Sequence, residues 1–268
     1  MASHEFAKWR TTIASSLARQ MTYKVDFFLM LIAPSIVFVS VNYTVWRSIF
    51  TLRGDAPIGG FSMDEMLRYQ CWSLIAAFLI RSHRSWDLSE DIRMGRITAF
   101  LLYPFDLWKF HACEFLAFQF VQIVMAAIAI ITMITIGLIP LPPLTCLIPG
   151  LFFSLSVSAL WFLFEFAFGL VAFWLEETWI LRFVFNLFAV LLSGAFIPIE
   201  LFPQSLQAVL RYTPFPLIAS LPVHLFLGSN VTPLPFAFMM MAIWMAIMTL
   251  ASIVTWRRGI GLYSAAGM

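Results

Sequence analysis

Charge is scarce in this chain. Only 11% of its 268 residues are Asp, Glu, Lys or Arg, against roughly a quarter in an ordinary globular domain. With 62% hydrophobic residues and a mean hydropathy of +0.91, that deficit excludes a soluble domain, whose interior could not hide so much apolar surface. No glycine is followed by lysine, so this sequence holds no phosphate-binding P-loop. The four histidines (His4, His83, His111 and His224) are far apart, with no H-E-x-x-H and no pair at i, i+4. There is no G-x-S-x-G nucleophile elbow. No pair of acids recurs at matching depth in two apolar blocks, as an ion-coupled transporter built from repeated halves would show. Cysteine is nearly absent. Cys71, Cys113 and Cys146 are odd in number and lack metal-type spacing, so they read as small hydrophobes and imply no disulfide framework. A net charge of +2 is too small to argue for a nucleic-acid partner. Neither a complete catalytic site nor a metal site is visible.

Long apolar runs are what the chain does have. A helix needs about 20 mostly apolar residues to cross the hydrocarbon layer, and six blocks qualify: 25–46, 63–80, 110–139, 144–175, 179–199 and 234–256. They predict an all-α integral membrane protein with six transmembrane helices. The second block is weakened by Arg68 and Gln70, and the fourth is long enough to tilt or bend. The stretch 217–227 is too short to span and contains Pro222 and His224, so it reads as re-entrant or interfacial. With the N-terminus inside, twelve of the sixteen basic residues fall on the cytoplasmic side and only Arg47, Arg53, Arg68 and Arg211 outside. Six spans then leave both termini cytoplasmic in a multi-pass protein of the inner (plasma) membrane. Residues 1–22 lack the apolar core of a secretory signal. There Phe6, Trp9, Ile13 and Leu17 recur at helical spacing, as in an interfacial amphipathic helix lying among the lipid headgroups; a plain juxtamembrane start is the alternative.

The densest charge lies at 81–96, between the second and third blocks. Ser89 suits an N-cap, Glu90 and Asp91 the positive end of a short helix, Arg93 its negative end, and Gly95 a left-handed C-cap. Pro104 breaks the chain again. Such a helix, with Ile92 and Met94 for a soluble partner to grip, makes a lever; a solvated loop is the plainer reading. Inside the bilayer, Glu165 sits among Phe162, Phe164, Phe166 and Phe168, where a carboxylate costs several kcal/mol. It faces a cavity or partner, or is protonated against a neighbouring helix, or lies near the inner surface. Glu114 reads as an interfacial ion pair with Lys109 and Arg182, and Gln119, Gln122 and Asn186 as helix bridges. Trp46, Trp72, Trp108, Trp179 and Trp256 fit an aromatic belt. Pro198, Pro203, Pro214, Pro216 and Pro222 concentrate five of the 14 prolines in 25 residues, which rules out a straight helix.

These segments carry a family likeness. Ile92-Arg-Met-Gly-Arg-Ile-Thr-Ala-Phe-Leu-Leu-Tyr-Pro104 resembles the I-x-x-G-x-(L/I)-x-x-x-L-L-x-P stretch of ABC-2-type exporter permeases, in particular a six-span branch. Ser193-Gly-Ala-Phe-Ile-Pro-Ile-Glu-Leu-Phe-Pro203, followed by Tyr212-Thr-Pro-Phe-Pro216, is similar to the outer end of their fifth span. The tail Gly261-Leu-Tyr-Ser-Ala-Ala-Gly267 is similar to theirs. Glu200 departs from the pattern by placing a charge near the outer turn.

The resemblance implies a single transmembrane domain over 1–268, with an interfacial helix at 1–22, a cytoplasmic coupling loop at 84–100 and an outer re-entrant region at 200–228. It implies no cofactor in this chain, ATP and Mg being bound by a separate ABC ATP-binding subunit, and a second permease subunit, a copy or a different chain. Glu90, Asp91, Arg93, Gly95 and Arg96 would couple to the ATPase. Glu165, Phe185, Phe188, Pro198 and Glu200 are candidates for the substrate path or its gate. Because the spans offer few partners for charge, a hydrophobic or amphipathic cargo is expected. The competing class is an ATP-independent secondary transporter or channel using Glu165. An intramembrane lipid-modifying enzyme ranks last, since no spacing links a nucleophile to a base.

Overall fold

Away from water a backbone must satisfy its own hydrogen bonds, so apolar blocks become helices. A computed structural model describes residues 2–20, 24–81, 86–102, 105–229 and 232–262. The helices are α1 (Ala2–Gln20), α2 (Lys24–Leu52), α3 (Met63–Ile80), α4 (Trp86–Arg93), α5 (Ile97–Leu102), α6 (Leu107–Thr135), α7 (Leu144–Leu170), α8 (Thr178–Leu192), α9 (Gln204–Leu210), α10 (Phe215–Ile218), α11 (Ser220–Leu227) and α12 (Leu234–Leu262), with 3₁₀ turns at Val171–Phe173 and Ile199–Leu201. Among the described residues there is no strand, only an isolated bridge between Ile58 and Phe61. Of the six expected spans, α6, α7 with its 3₁₀ turn, and α12 are long and apolar enough to cross a membrane. The 15 residues of α8 rise only about 22 Å.

Most differences from the expected boundaries have local causes. Helix α8 stops at Leu192 rather than near 199, because Gly194 takes φ +85, a left-handed conformation that ends helices. The 217–227 stretch divides into α10 and α11 at Ala219, whose φ is −136. Helix α4 starts at Trp86, so Ser89 lies inside it and is not its N-cap. Gly95 does take the expected left-handed conformation, φ +75. Helix α3 begins with a reciprocal cap: Ser62 Oγ accepts from the Glu65 N–H, and Glu65 Oε2 accepts from the Ser62 N–H at 2.8 Å. Of the sequence motifs, Met1, 21–22, 84–85, Tyr103, Pro104 and 263–267 lie outside the described residues.

The main core joins α3, α7, α11 and α12 through Trp72, Ile75, Leu79, Phe153, Phe226 and Met241. Trp72 is buried and stacks on Phe226 at 4.5 Å, so it is a core residue and not part of an aromatic belt. A satellite core of Leu88, Ile92, Ile97, Leu107, Phe166 and Leu170 sits beneath α4 and α5. Helix α1 packs along α6, with Trp9 edge-on to Trp108.

Candidate functional site

Helix α4 has two faces. Leu88 and Ile92 are buried against Phe166 and Leu170, so Ile92 anchors the helix and is not a grip for a partner, whereas Met94 is exposed. The seat is cut by Gly169: a Cβ there would lie 2.6 Å from Leu88 Cδ2 and 3.0 Å from Arg182 Nη2. Opposite, Glu90, Arg93 and Arg96 are exposed. Arg96 closes a clamp, its Nη2 2.6 Å from Glu90 Oε1 and its Nε 3.1 Å from Asp91 Oδ1. Arg93 reaches the turn before α8, donating to the Glu176 carbonyl at 3.4 Å with Glu177 Oε1 at 3.8 Å. The structure thus brings Glu90, Asp91, Arg93, Gly95 and Arg96 to one small surface and joins it to the Glu176–Glu177 turn, which the sequence offers as a second, weaker docking contact.

Glu165 lies five residues before the end of α7, facing the α8 residue Arg182 with Oε2 3.9 Å from Nε, both side chains buried. Arg182 is therefore beside Glu165 and not Glu114. Glu114 pairs with Arg19 of α1 and with His111, while Lys109 holds Asp106 at 2.8 Å and Glu5 at 3.6 Å. Gln119 bridges to the Leu79 carbonyl and Gln122 to that of Arg81, as expected. Asn186 instead donates to Arg182 of its own helix.

At the opposite end, α3 supplies a polar stripe that the sequence reading missed. Tyr69 Oη donates to the Gly194 carbonyl (2.8 Å), Ser73 Oγ to Ala195 (3.1 Å) and Gln70 Nε2 to Phe196 (3.0 Å), while the Ser220 N–H donates to the Ser193 carbonyl. These bonds satisfy the backbone where α8 breaks, the condition for irregular chain among packed spans. The available signal was three polar residues at i, i+1 and i+4 in an otherwise apolar helix. Beyond the break, buried Pro198 opens the 3₁₀ turn. Glu200 Oε1 then faces His224 Nε2 at 2.7 Å, and His224 Nδ1 faces Ser229 Oγ at 2.7 Å. Glu200, Gln207, Arg211, Ser220 and His224 border a cavity of about 370 Å³. From there the chain descends: Trp244 Nε1 donates to the Tyr212 carbonyl, and Phe215 reaches Phe185. Phe185 is packed among Trp161, Phe164 and Phe168; Phe188 is exposed with Phe183, Leu187 and Leu191 on the outer face of α8.

A family model described as "ABC-2 family transporter protein" matches residues 36–267. The chain belongs to the ABC-2 transporter family. No curated protein and no solved structure matches it. It is a transmembrane permease, and the matched region contains the α4 surface, the α8 break and the Glu200–His224 pair.

The Glu200 contact predicts that the stability of this ABC-2 permease falls in acid. Burial is the largest single influence on Glu200 and opposes its charge, but the hydrogen bond from His224, a backbone hydrogen bond and the charge of His224 together outweigh it and hold the carboxyl below its ordinary range. The folded value lies below the unfolded one of about 4.3, so the stabilisation is complete above that value and is lost as pH falls through the folded value. The melting temperature of the purified chain should therefore fall more steeply for wild type than for Glu200→Gln between about pH 5 and pH 3. Parallel curves would show that the contact holds no charge in place.

Proposed function

We propose that this ABC-2 permease is the membrane subunit of an ATP-driven exporter, with α2, α3, α6, α7, α8 and α12 as its six spans and both termini cytoplasmic. The single observation that carries the reading is α4. Its apolar side is seated on Gly169 of α7, its charged side faces outward, and Arg93 ties it to the turn that starts α8. A soluble subunit pushing on the outer face would move α7 and α8 together. ATP and Mg belong to that ATP-binding subunit, and this chain is not itself an enzyme. A second permease subunit would cover the apolar outer faces of α2 and α8, where Ile36, Val37, Phe183 and Phe188 are exposed. The cargo is hydrophobic or amphipathic, passing near Phe188 toward the outer segment of Pro198 and Glu200. Arg182 beside Glu165 disfavours the gradient-driven alternative, because a coupling acid must exchange its proton rather than stay paired.

The tagged chain, extracted from its native membrane, should bring down an ATP-binding subunit and hydrolyse ATP only in its company. Hydrolysis by this polypeptide alone, or gradient-driven transport in liposomes without ATP, would overturn the proposal.

A further inference from the structure

We infer that this permease holds an anionic phospholipid in a cleft between α6, α7 and α12, its acyl chain inside and its phosphate on Arg257. The inference rests on the membrane setting of the chain and is independent of ATP coupling and of the direction of transport. The cleft encloses about 660 Å³, within the roughly 300–1,000 Å³ typical of small-molecule sites. Its walls are Leu107 and Trp108 at the start of α6, Phe162 and Phe166 of α7, and Ile253 and Trp256 of α12.

The shape suits a chain. Thr249, Ser252, Ile253, Trp256 and Arg257 all border the cleft, and steps of three and one keep them on a single face of α12. From Thr249 to Arg257 that face runs about 12 Å, so the space follows the helix axis from within the apolar layer to the helix end. The interior makes little polar demand, since Ser252 Oγ donates to the Met248 carbonyl of its own helix at 2.8 Å.

The mouth selects the headgroup. Asp106 and Arg257 are the charged residues there. Lys109 Nζ lies 2.8 Å from Asp106, which neutralises the acid. Arg257 is exposed and has no acidic partner among the described residues, so its planar fork is open to phosphate oxygens. Trp108 and Trp256 flank it, as aromatic residues do at headgroup level. Among the described residues none of α2, α3 or α8 borders the cleft, so it stands apart from the cargo route proposed above. Its walls Leu107, Phe162, Phe166 and Trp256 also belong to the satellite core that seats Leu88 and Ile92. A bound acyl chain would therefore form part of the floor on which α4 rests.

Native mass spectrometry of the full chain, delipidated and then offered equal phosphatidylglycerol and phosphatidylcholine, tests this. Wild type should retain phosphatidylglycerol preferentially, and Arg257→Gln should lower that retention roughly tenfold, the loss expected for one charge-assisted contact. Arg257→Lys should keep part of the preference, and Ser252→Phe, which fills the cleft, should lose both lipids. Equal retention of the two lipids by wild type, or an unaltered preference in Arg257→Gln, would overturn the assignment. So would displacement of the lipid by millimolar inorganic phosphate, which would mark a site for the free ion. Arg257 is exposed, so its variants keep the test decisive should Ser252→Phe fail to fold.

Discussion

Reversing both charges, Glu90→Lys with Asp91→Lys, is expected to abolish ATP hydrolysis coupled to this permease while leaving its helices folded. Folding survives because the exposed Glu90–Arg96 pair contributes only about 0.2–1 kcal/mol, Asp91 keeps 14% of its side chain open to solvent, and α4 is held by buried Leu88 and Ile92. Coupling fails because like charges brought together across an interface cost several kcal/mol, more than a tenfold loss of association. Arg96 complicates the interpretation, since it clamps both acids, and the double variant sets three cations side by side. Adding Arg96→Glu rebuilds the clamp with its polarity reversed. If ATPase activity of the complex then stays lost, the outward charge itself docks the partner. If it returns, the residues act only by shaping α4, and the docking role is refuted.

The second large effect is at Arg182. Arg182→Met leaves Glu165 buried with its cationic neighbour gone, and breaking a buried pair from one side costs about 3–5 kcal/mol. The variant should accumulate poorly and melt far below wild type in detergent, as followed by size-exclusion profile and melting temperature. Replacing both partners, Glu165→Leu with Arg182→Met, should recover most of the stability, because an apolar pair of similar volume is often neutral or better. The doubly substituted chain then separates the two roles of Glu165. Transport at the wild-type rate would make the acid structural, and a stable chain that transports nothing would place it on the cargo route. A single Arg182→Met variant that melts with wild type would show that the pair is not needed at all.

The α4 surface was legible because its signals are local: charges flanking a short apolar stripe, with a glycine at the left-handed position. What could not be read was which side of α4 faces the spans. Ile92 resembled a grip for a partner because nothing in the sequence announces Gly169, 77 positions later, as the notch in which α4 sits. The irregular segment after α8 was legible as a cluster of prolines, but its start was not: the fifth apolar block predicts a span to 199, and Gly194 ends the helix at Leu192. The support of that segment was not legible either, because Tyr69 and Gly194 lie 125 positions apart.

That this protein is helical and belongs in a membrane follows from its local sequence alone. Hydrophobic run length is a local property, and in lipid the helix is the structure that satisfies a lone backbone segment. The sequence also excluded a P-loop and marked the proline-rich segment after the fifth block as unable to form one straight helix, although not the residue at which α8 ends. The partners emerge from the packed helices: Arg19 for Glu114, Arg182 for Glu165, His224 for Glu200, and the α3 stripe for the carbonyls beyond α8. The reason is physical. A helix in water betrays its packed face by an apolar stripe, but one in lipid is apolar on every side, so the choice of neighbour is made by shape and by a few distant polar groups that no local pattern connects.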